Sequence, residues 1–209
     1  MRTLIKNGLV YDGSGGTPFR KDVLIKDGFI EAVTESAEAY GMEMTRAEAS
    51  GAEAAAAEVM DASGLVVTPG FIDTHRHCDI DALYNPEFGR LEMAQGLTTV
   101  IGGNCGLAPI PAPKQYRRDI YDFIEPCLGI APEEMAIERF GDYLEELGKR
   151  ELPLHVGSLL ATGTLKAAIK GYGKGPFTRQ EMDQAKAYIR EGLEAGAAGL
   201  SMGIMYQPE

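Results

Sequence analysis

Histidine is scarce in this sequence, with three in 209 residues. Two of them, His75 and His77, stand one residue apart, so the scarce residue is also clustered. Cysteine is equally rare. The three present, Cys78, Cys105 and Cys127, are an odd number without disulfide-framework spacing, which fits a reducing cytoplasm with free or metal-bound thiols better than secretion. Three buried apolar thiols are the plainer alternative. Basic charge is short as well: 20 Lys and Arg face 31 Asp and Glu, for a net charge of −11. That balance disfavours a surface that tracks phosphates and argues against nucleic acid or an anionic membrane as partner. No apolar run approaches the ~20 residues of a membrane span. Residues 1–8 alternate apolar and polar side chains and lack the apolar stretch and cleavage site of a signal peptide. With 44% hydrophobic residues, a soluble cytoplasmic chain of one or two domains is expected.

The N-terminal part reads as a small β unit. Leu4-Ile5, Leu9-Val10 and Val23-Leu24-Ile25 are β-favouring pieces, and Asp12-Gly13 and Asp27-Gly28 predict hairpin turns across residues 2–35. Phe29-Ile30-Glu31-Ala32-Val33 supplies the strand returning from the second turn. Composition then shifts to alanine and glutamate over about residues 35–58, with Ala54 to Ala57 unbroken. This stretch favours helix intrinsically but has no clear apolar face, and Gly41 and Gly51 interrupt it. It reads as a solvated, partly helical excursion or as disorder. Strand character returns over residues 59–67, around Ala62-Ser63-Gly64.

Beyond residue 67 strands alternate with helices. Apolar β-like runs occur at Thr98-Thr99-Val100-Ile101-Gly102, at Leu152-Pro153-Leu154-His155-Val156-Gly157 and at Ala198-Gly199-Leu200-Ser201-Met202-Gly203. Helices are expected at residues 86–95, 114–127, 132–149 and 178–195. The last has the strongest signal: Thr178-Arg179-Gln180-Glu181 is a capping box, Met182, Ala185, Ile189 and Leu193 recur at helical spacing, and Gly196 ends the run. Such alternation implies parallel strands joined by crossovers. The fold class is therefore α/β. Residues 1–66 form a small β domain carrying the Ala/Glu excursion, and residues 67–209 form a partial barrel of about four strands. That is the first half of a (β/α)8 TIM-type barrel, whose complete form takes about 250 residues.

In such a barrel the chemistry sits at the C-terminal ends of the strands. The apolar run Val66-Val67-Thr68, broken by Pro69-Gly70, leads into Phe71-Ile72-Asp73-Thr74-His75-Arg76-His77-Cys78-Asp79. In extended backbone, positions i and i+2 share a face, so both imidazoles project together from one strand end. Cys105 falls just past the end of the next strand, in Gly102-Gly103-Asn104-Cys105-Gly106, where the glycines permit a sharp turn. Two imidazoles and a thiolate suit Zn²⁺. Taken alone, His-x-His fits packed or surface histidines as well as a metal pair, and a lone cysteine is more often inert. Placement of all three at consecutive strand ends favours the metal. Asp79 is either an acceptor for an imidazole N–H or an exposed acid. His155, on the third strand, reads as a strand or core histidine.

These residues resemble a known family. Pro69-Gly70-Phe71-Ile72-Asp73-Thr74-His75-Arg76-His77 is similar to the first-strand signature of the amidohydrolase superfamily. Gly96-Leu97-Thr98-Thr99-Val100, Gly103-Asn104-Cys105-Gly106 and Gly199-Leu200-Ser201-Met202-Gly203-Ile204-Met205-Tyr206-Gln207-Pro208 narrow the resemblance to the N-acyl-D-amino-acid deacylases, the D-aminoacylase branch. The resemblance covers most of the chain except the Ala/Glu excursion, and Asn-Cys-Gly is its specific part. It implies a zinc hydrolase, with one or two ions, that removes the acyl group from small-molecule N-acyl-D-amino acids. It also implies that Cys105 is a metal ligand where relatives use a carboxylated lysine, that His75 and His77 serve a second metal position, and that Tyr206 lies near the substrate.

Two departures shape the expectation. The sequence stops at Glu209, whereas family members run on through four more strands that supply two metal-binding histidines and a general acid/base aspartate. The catalytic aspartate is therefore expected outside this chain, which on its own is expected to be an incomplete and inactive part of the enzyme. It is also expected to self-associate or to pair with the missing C-terminal half. Ala161-Thr162 stands where family members often carry Gly-His. The alternatives are another metal-dependent amidohydrolase acting on cyclic amides, of dihydropyrimidinase or hydantoinase type, and a non-catalytic fragment. Asn-Cys-Gly speaks against the first, because those enzymes bridge their metals with a lysine.

Overall fold

A computed structural model of the chain describes residues 2–35 and 58–205. The chain divides into two compact units, Met1–Pro69 and Gly70–Glu209. No helix among the described residues is long and apolar enough to cross a membrane.

The first unit is built of short strands: β1 (Arg2–Lys6), β2 (Leu9–Val10), β3 (Phe19–Arg20), β4 (Asp22–Lys26), β5 (Phe29–Thr34), β6 (Glu58–Asp61) and β7 (Val66–Val67). They form one sheet of order β5-β4-β1-β6 and another of order β3-β2-β7. The β4–β5 hairpin turns on Asp27 and Gly28 at φ 50° and 85°, the two left-handed positions that a two-residue turn demands. Asp12-Gly13 does not close a comparable hairpin. It lies in the longer connection from β2 to β3, where the Asp12 carboxylate accepts a hydrogen bond from Ser14 N–H at 2.9 Å. β6 and β7 run parallel to β1 and β2, tying residues 58–67 back to the N-terminal strands. Leu4, Leu24 and Ala32 make the buried cluster between strands. Of the Ala/Glu excursion expected at about residues 35–58, residues 36–57 lie outside the described residues.

The second unit alternates as the sequence predicts. It comprises β8 (Phe71–Asp73), α1 (Asp81–Tyr84), α2 (Arg90–Ala94), β9 (Leu97–Gly102), α3 (Arg117–Leu128) and α4 (Phe140–Gly148). These are followed by β10 (His155–Ser158), β11 (Leu160–Ala161), α5 (Thr162–Lys170), α6 (Arg179–Ala195) and β12 (Leu200–Ser201). β9 lies between β8 and β10, parallel to both. At Leu159 the chain changes partner: Leu159 N–H donates to Gly102 O (3.0 Å), and Leu160 N–H donates to Gly199 O (2.9 Å). β11 then pairs with β12 in parallel. The strands thus succeed one another in space in the order of the chain, as an open run. No closed barrel is present among the described residues.

The main core of this unit joins Phe88, Val100, Ile110, Phe140, Tyr143 and Leu160. Each such side chain contributes ~1.5–3 kcal/mol when fully buried. α3 buries Ile120, Ile124 and Leu128, one stripe of a helix. α6 carries the expected capping box, with Glu181 N–H donating to Thr178 Oγ1 (3.2 Å) and Thr178 N–H to Glu181 Oε2 (2.7 Å). Three expectations are corrected. The helix expected over residues 132–149 starts only at Phe140, because the preceding backbone is engaged elsewhere: Glu138 O accepts from Ala112 N–H (3.0 Å). α5 was not foreseen; Gly163, Thr164, Leu165, Ala167, Ala168 and Ile169 are all buried, and only Thr162, Lys166 and Lys170, at i, i+4 and i+8, form a narrow polar stripe. On α6, Ala185 is buried but Met182 and Leu193 are exposed.

Candidate metal centre

β8 ends at Asp73, and His75 and His77 lie in the irregular segment just past it rather than within the strand. The segment is shaped by local bonds in place of a ladder. The Asp73 carboxylate accepts from His75 N–H (3.0 Å), and Arg76 N–H donates to Ile101 O (3.0 Å). The Arg76 guanidinium turns away to pair with Glu92 on α2 and lies 3.9 Å from Asp73 Oδ2. With Arg76 so held, the imidazoles on either side approach edge-on, their centroids 5.6 Å apart.

Cys105 arrives from the loop after β9. Its own φ is 58°, a left-handed value that a non-glycine residue adopts only when its surroundings enforce it, and Gly103 and Gly106 beside it sit at 71° and 73°. A Cβ on Gly103 would fall 2.1 Å from Leu159 O, so only glycine permits this approach of loop and strand. Asn104 closes the geometry from the other side. Its Nδ2 donates to Ile101 O (2.8 Å) and reaches Arg76 O at 3.5 Å.

The result brings three predicted residues together. His75 Nε2 is 3.2 Å from Cys105 Sγ, and the donor atoms of His75, His77 and Cys105 all lie within 4.8 Å of one another. His77 Nδ1 is buried without a hydrogen-bond partner. Burial, and then the neighbouring His75, depress the His77 pKa, favouring the neutral imidazole that a metal requires. Two nitrogens and a sulfur form a donor set suited to Zn²⁺, and three protein ligands leave an open coordination position. The other cysteines differ. Cys78 is buried in the main core with its thiol pushed up to about 12 by burial, and Cys127 is exposed on α3.

Other expected residues are placed differently. Asp79 is neither an exposed acid nor a partner of an imidazole: it is fully buried, with Ser158 Oγ 3.4 Å from its Oδ1 and no partner at its Oδ2. Burial raises its pKa to about 7. A Cβ on Gly102 would lie 2.7 Å from Asp79 Oδ1, so the glycine makes room for the carboxyl. His155 is on a strand as expected, but it is exposed rather than in the core and sits at the start of β10, opposite Thr99. Tyr206 lies outside the described residues. Sequence reasoning missed Asp73, whose spacing to His75 is an Asx-turn signal. It also missed Glu92, for which no local signal exists because its pairing with Arg76 spans 16 positions.

Known proteins resemble this chain in sequence and in fold. The chain is 31% identical over 205 residues to the N-acyl-D-aspartate deacylase of Alcaligenes xylosoxydans xylosoxydans, covering 98% of this chain and 37% of that one. The N-acyl-D-glutamate deacylase from Bordetella bronchiseptica, solved with zinc and a phosphonate inhibitor, superimposes with a TM-score of 0.75 at 28% identity. That match covers 99% of this chain and 39% of the other. A D-aminoacylase structure with a binuclear metal centre gives a TM-score of 0.73 at 29% identity, over the same shares of 99% and 39%. The chain therefore spans about two fifths of the length of these relatives. Residues 58–207, most of the sequence, match the model of the Amidohydrolase family, and the chain belongs to that family.

Proposed function

We propose that this chain is part of a zinc-dependent amide hydrolase that releases the acyl group from N-acyl-D-amino acids. The observation that carries the reading is the convergence of His75, His77 and Cys105 past the ends of two adjacent parallel strands, with donor atoms within 4.8 Å. The similarity to deacylases of N-acylated D-aspartate and D-glutamate supports the substrate class. In this reading the open parallel run is the first half of a (β/α)8 barrel preceded by the small β unit. His75, His77 and Cys105 hold one or two zinc ions. When bound, zinc supplies Lewis-acid activation of water and of the amide carbonyl. The chain's own residues orient the donors: Asp73 and Arg76 set the His75–His77 segment, and the partly buried His77, its pKa lowered by burial and by His75, stays neutral. Tyr206 is assigned to the substrate side on the family resemblance.

The remaining histidines and the general acid/base aspartate of the family would come from residues outside these 209, and the chain alone is proposed to be inactive. Its partner would be a second copy or a segment that continues the strand order. The apolar residues at both ends of that order support this: Phe71 and Ile72 are exposed at β8, and Leu200, Met202 and Ile204 at and beyond β12.

The test is turnover of N-acetyl-D-amino acids, compared with hydantoins and dihydroorotate, by the 209-residue chain and by the product of any reading frame continuing past codon 209. Deacylation by the longer product and none by the shorter is the expected result. Turnover of hydantoins alone would overturn the substrate class.

A further inference from the structure

The loop that presents Cys105 is closed by a residue from a distant strand. Ser201, on β12, places one hydroxyl across the mouth of the loop. Its Oγ accepts from Gly106 N–H at 3.1 Å and donates to Gly103 O. Gly103 and Gly106 bracket Asn104 and Cys105, so the two bonds span the residue that carries the thiol. Both are long-range, 95 and 98 positions apart in sequence. No helix or strand ladder holds this loop, and three of its residues occupy left-handed backbone. Such a conformation persists only when its surroundings over-determine it.

The loop is held at several points, one of them Gly106 O, which accepts from Thr164 N–H at 3.2 Å. Asn104 Nδ2 fixes it to Ile101 O and Arg76 O, beside the histidine segment. Ser201 fixes it to β12. A hydroxyl does both tasks through a single atom, because it donates one hydrogen bond and accepts another. Alanine would leave Gly103 O and Gly106 N–H unpaired, and valine would carry neither group.

We propose that Ser201 is a positioning residue: its hydroxyl clamps the Gly103–Gly106 loop and thereby keeps the Cys105 thiol beside His75. This deepens the reading of Cys105 as a zinc ligand and rests on it. It also extends the Gly-Leu-Ser segment beyond Tyr206, giving the serine a task of its own at the metal centre. Partners that orient metal ligands in this way typically cost 10–100-fold in metal affinity when removed.

The test has one arm without metal and one with it. In the metal-free chain, amide exchange at Gly106 and the HN–Hα coupling of Cys105 report the clamp and the left-handed φ directly. Ser201→Ala is expected to accelerate Gly106 exchange by about tenfold, the scale of one lost hydrogen bond, and to move the Cys105 coupling. Ser201→Thr, which keeps the hydroxyl, is expected to retain both signals. Thr178→Ala, which removes the capping box of α6, controls for general loss of stability and is expected to leave both unchanged. With Co²⁺ as the probe, Ser201→Ala is expected to weaken binding ~10–100-fold as read from the thiolate-to-metal charge-transfer band, and Cys105→Ala to abolish that band. Unchanged Gly106 exchange in Ser201→Ala, or equal acceleration in Thr178→Ala, would overturn the clamp. Absence of the band in the unaltered chain would instead overturn the metal reading, while the exchange arm still decides the role of Ser201.

Discussion

At the scale of single residues, the convergence of His75, His77 and Cys105 was legible because each follows directly from a strand end, and parallel neighbours put their ends together. The fate of Asp79 was not legible. Its burial depends on Gly102 leaving space and Ser158 supplying a hydroxyl, and these come from two other strands. That burial has a consequence for pH dependence. Asp79 titrates at about 7 in the folded chain against 3.8 for the ordinary side chain. Between those values the native state holds a proton that the unfolded state has lost, so stability falls as pH rises from about 4 to about 7 and is flat above. The shift corresponds to roughly 4 kcal/mol at ~1.4 kcal/mol per unit. Asp79→Asn is therefore expected to flatten the pH profile of urea unfolding in metal-free protein and to exceed the parent in stability at pH 8. An unchanged slope would refute the buried protonated carboxyl. Gly102→Ala drives a methyl into that carboxyl and is expected to cost ~1–3 kcal/mol in the same measurement, the scale of overpacking.

At the scale of elements, the sequence spoke clearly where a signal was local. The capping box and Gly196 marked both ends of α6, and Asp27-Gly28 marked the β4–β5 turn. It was silent where tertiary contacts decide. α5 is enclosed on nearly all sides and shows only the narrow polar stripe of Thr162, Lys166 and Lys170, while Glu138 O, just before Phe140, accepts from Ala112 N–H instead of from a helix. The cap of α6 has a measurable worth. Thr178→Ala is expected to lower stability by ~1 kcal/mol in denaturant unfolding, with the midpoint shifted and the slope kept. A neutral result would mean the box contributes nothing beyond water.

At the scale of the whole molecule, the alternation of strands and helices read from the sequence recovers the consecutive parallel order of β8 to β12. What the sequence could not foretell is how much apolar surface the strand ends leave open. Ile204 is 81% and Met202 69% exposed. Sedimentation is expected to show concentration-dependent association that Ile204→Lys weakens and that Val59→Lys, in the first unit, does not. A monomer at all concentrations would remove the case for a covering partner. The central claim is that His75, His77 and Cys105 together bind zinc. Its most direct measurement is a competition titration of zinc against a chromophoric chelator, for the parent chain and for each single alanine variant. The account predicts saturable binding in the parent and a loss of at least ~10-fold in affinity for each of His75→Ala, His77→Ala and Cys105→Ala. Equal affinity in the parent and in Cys105→Ala would contradict it.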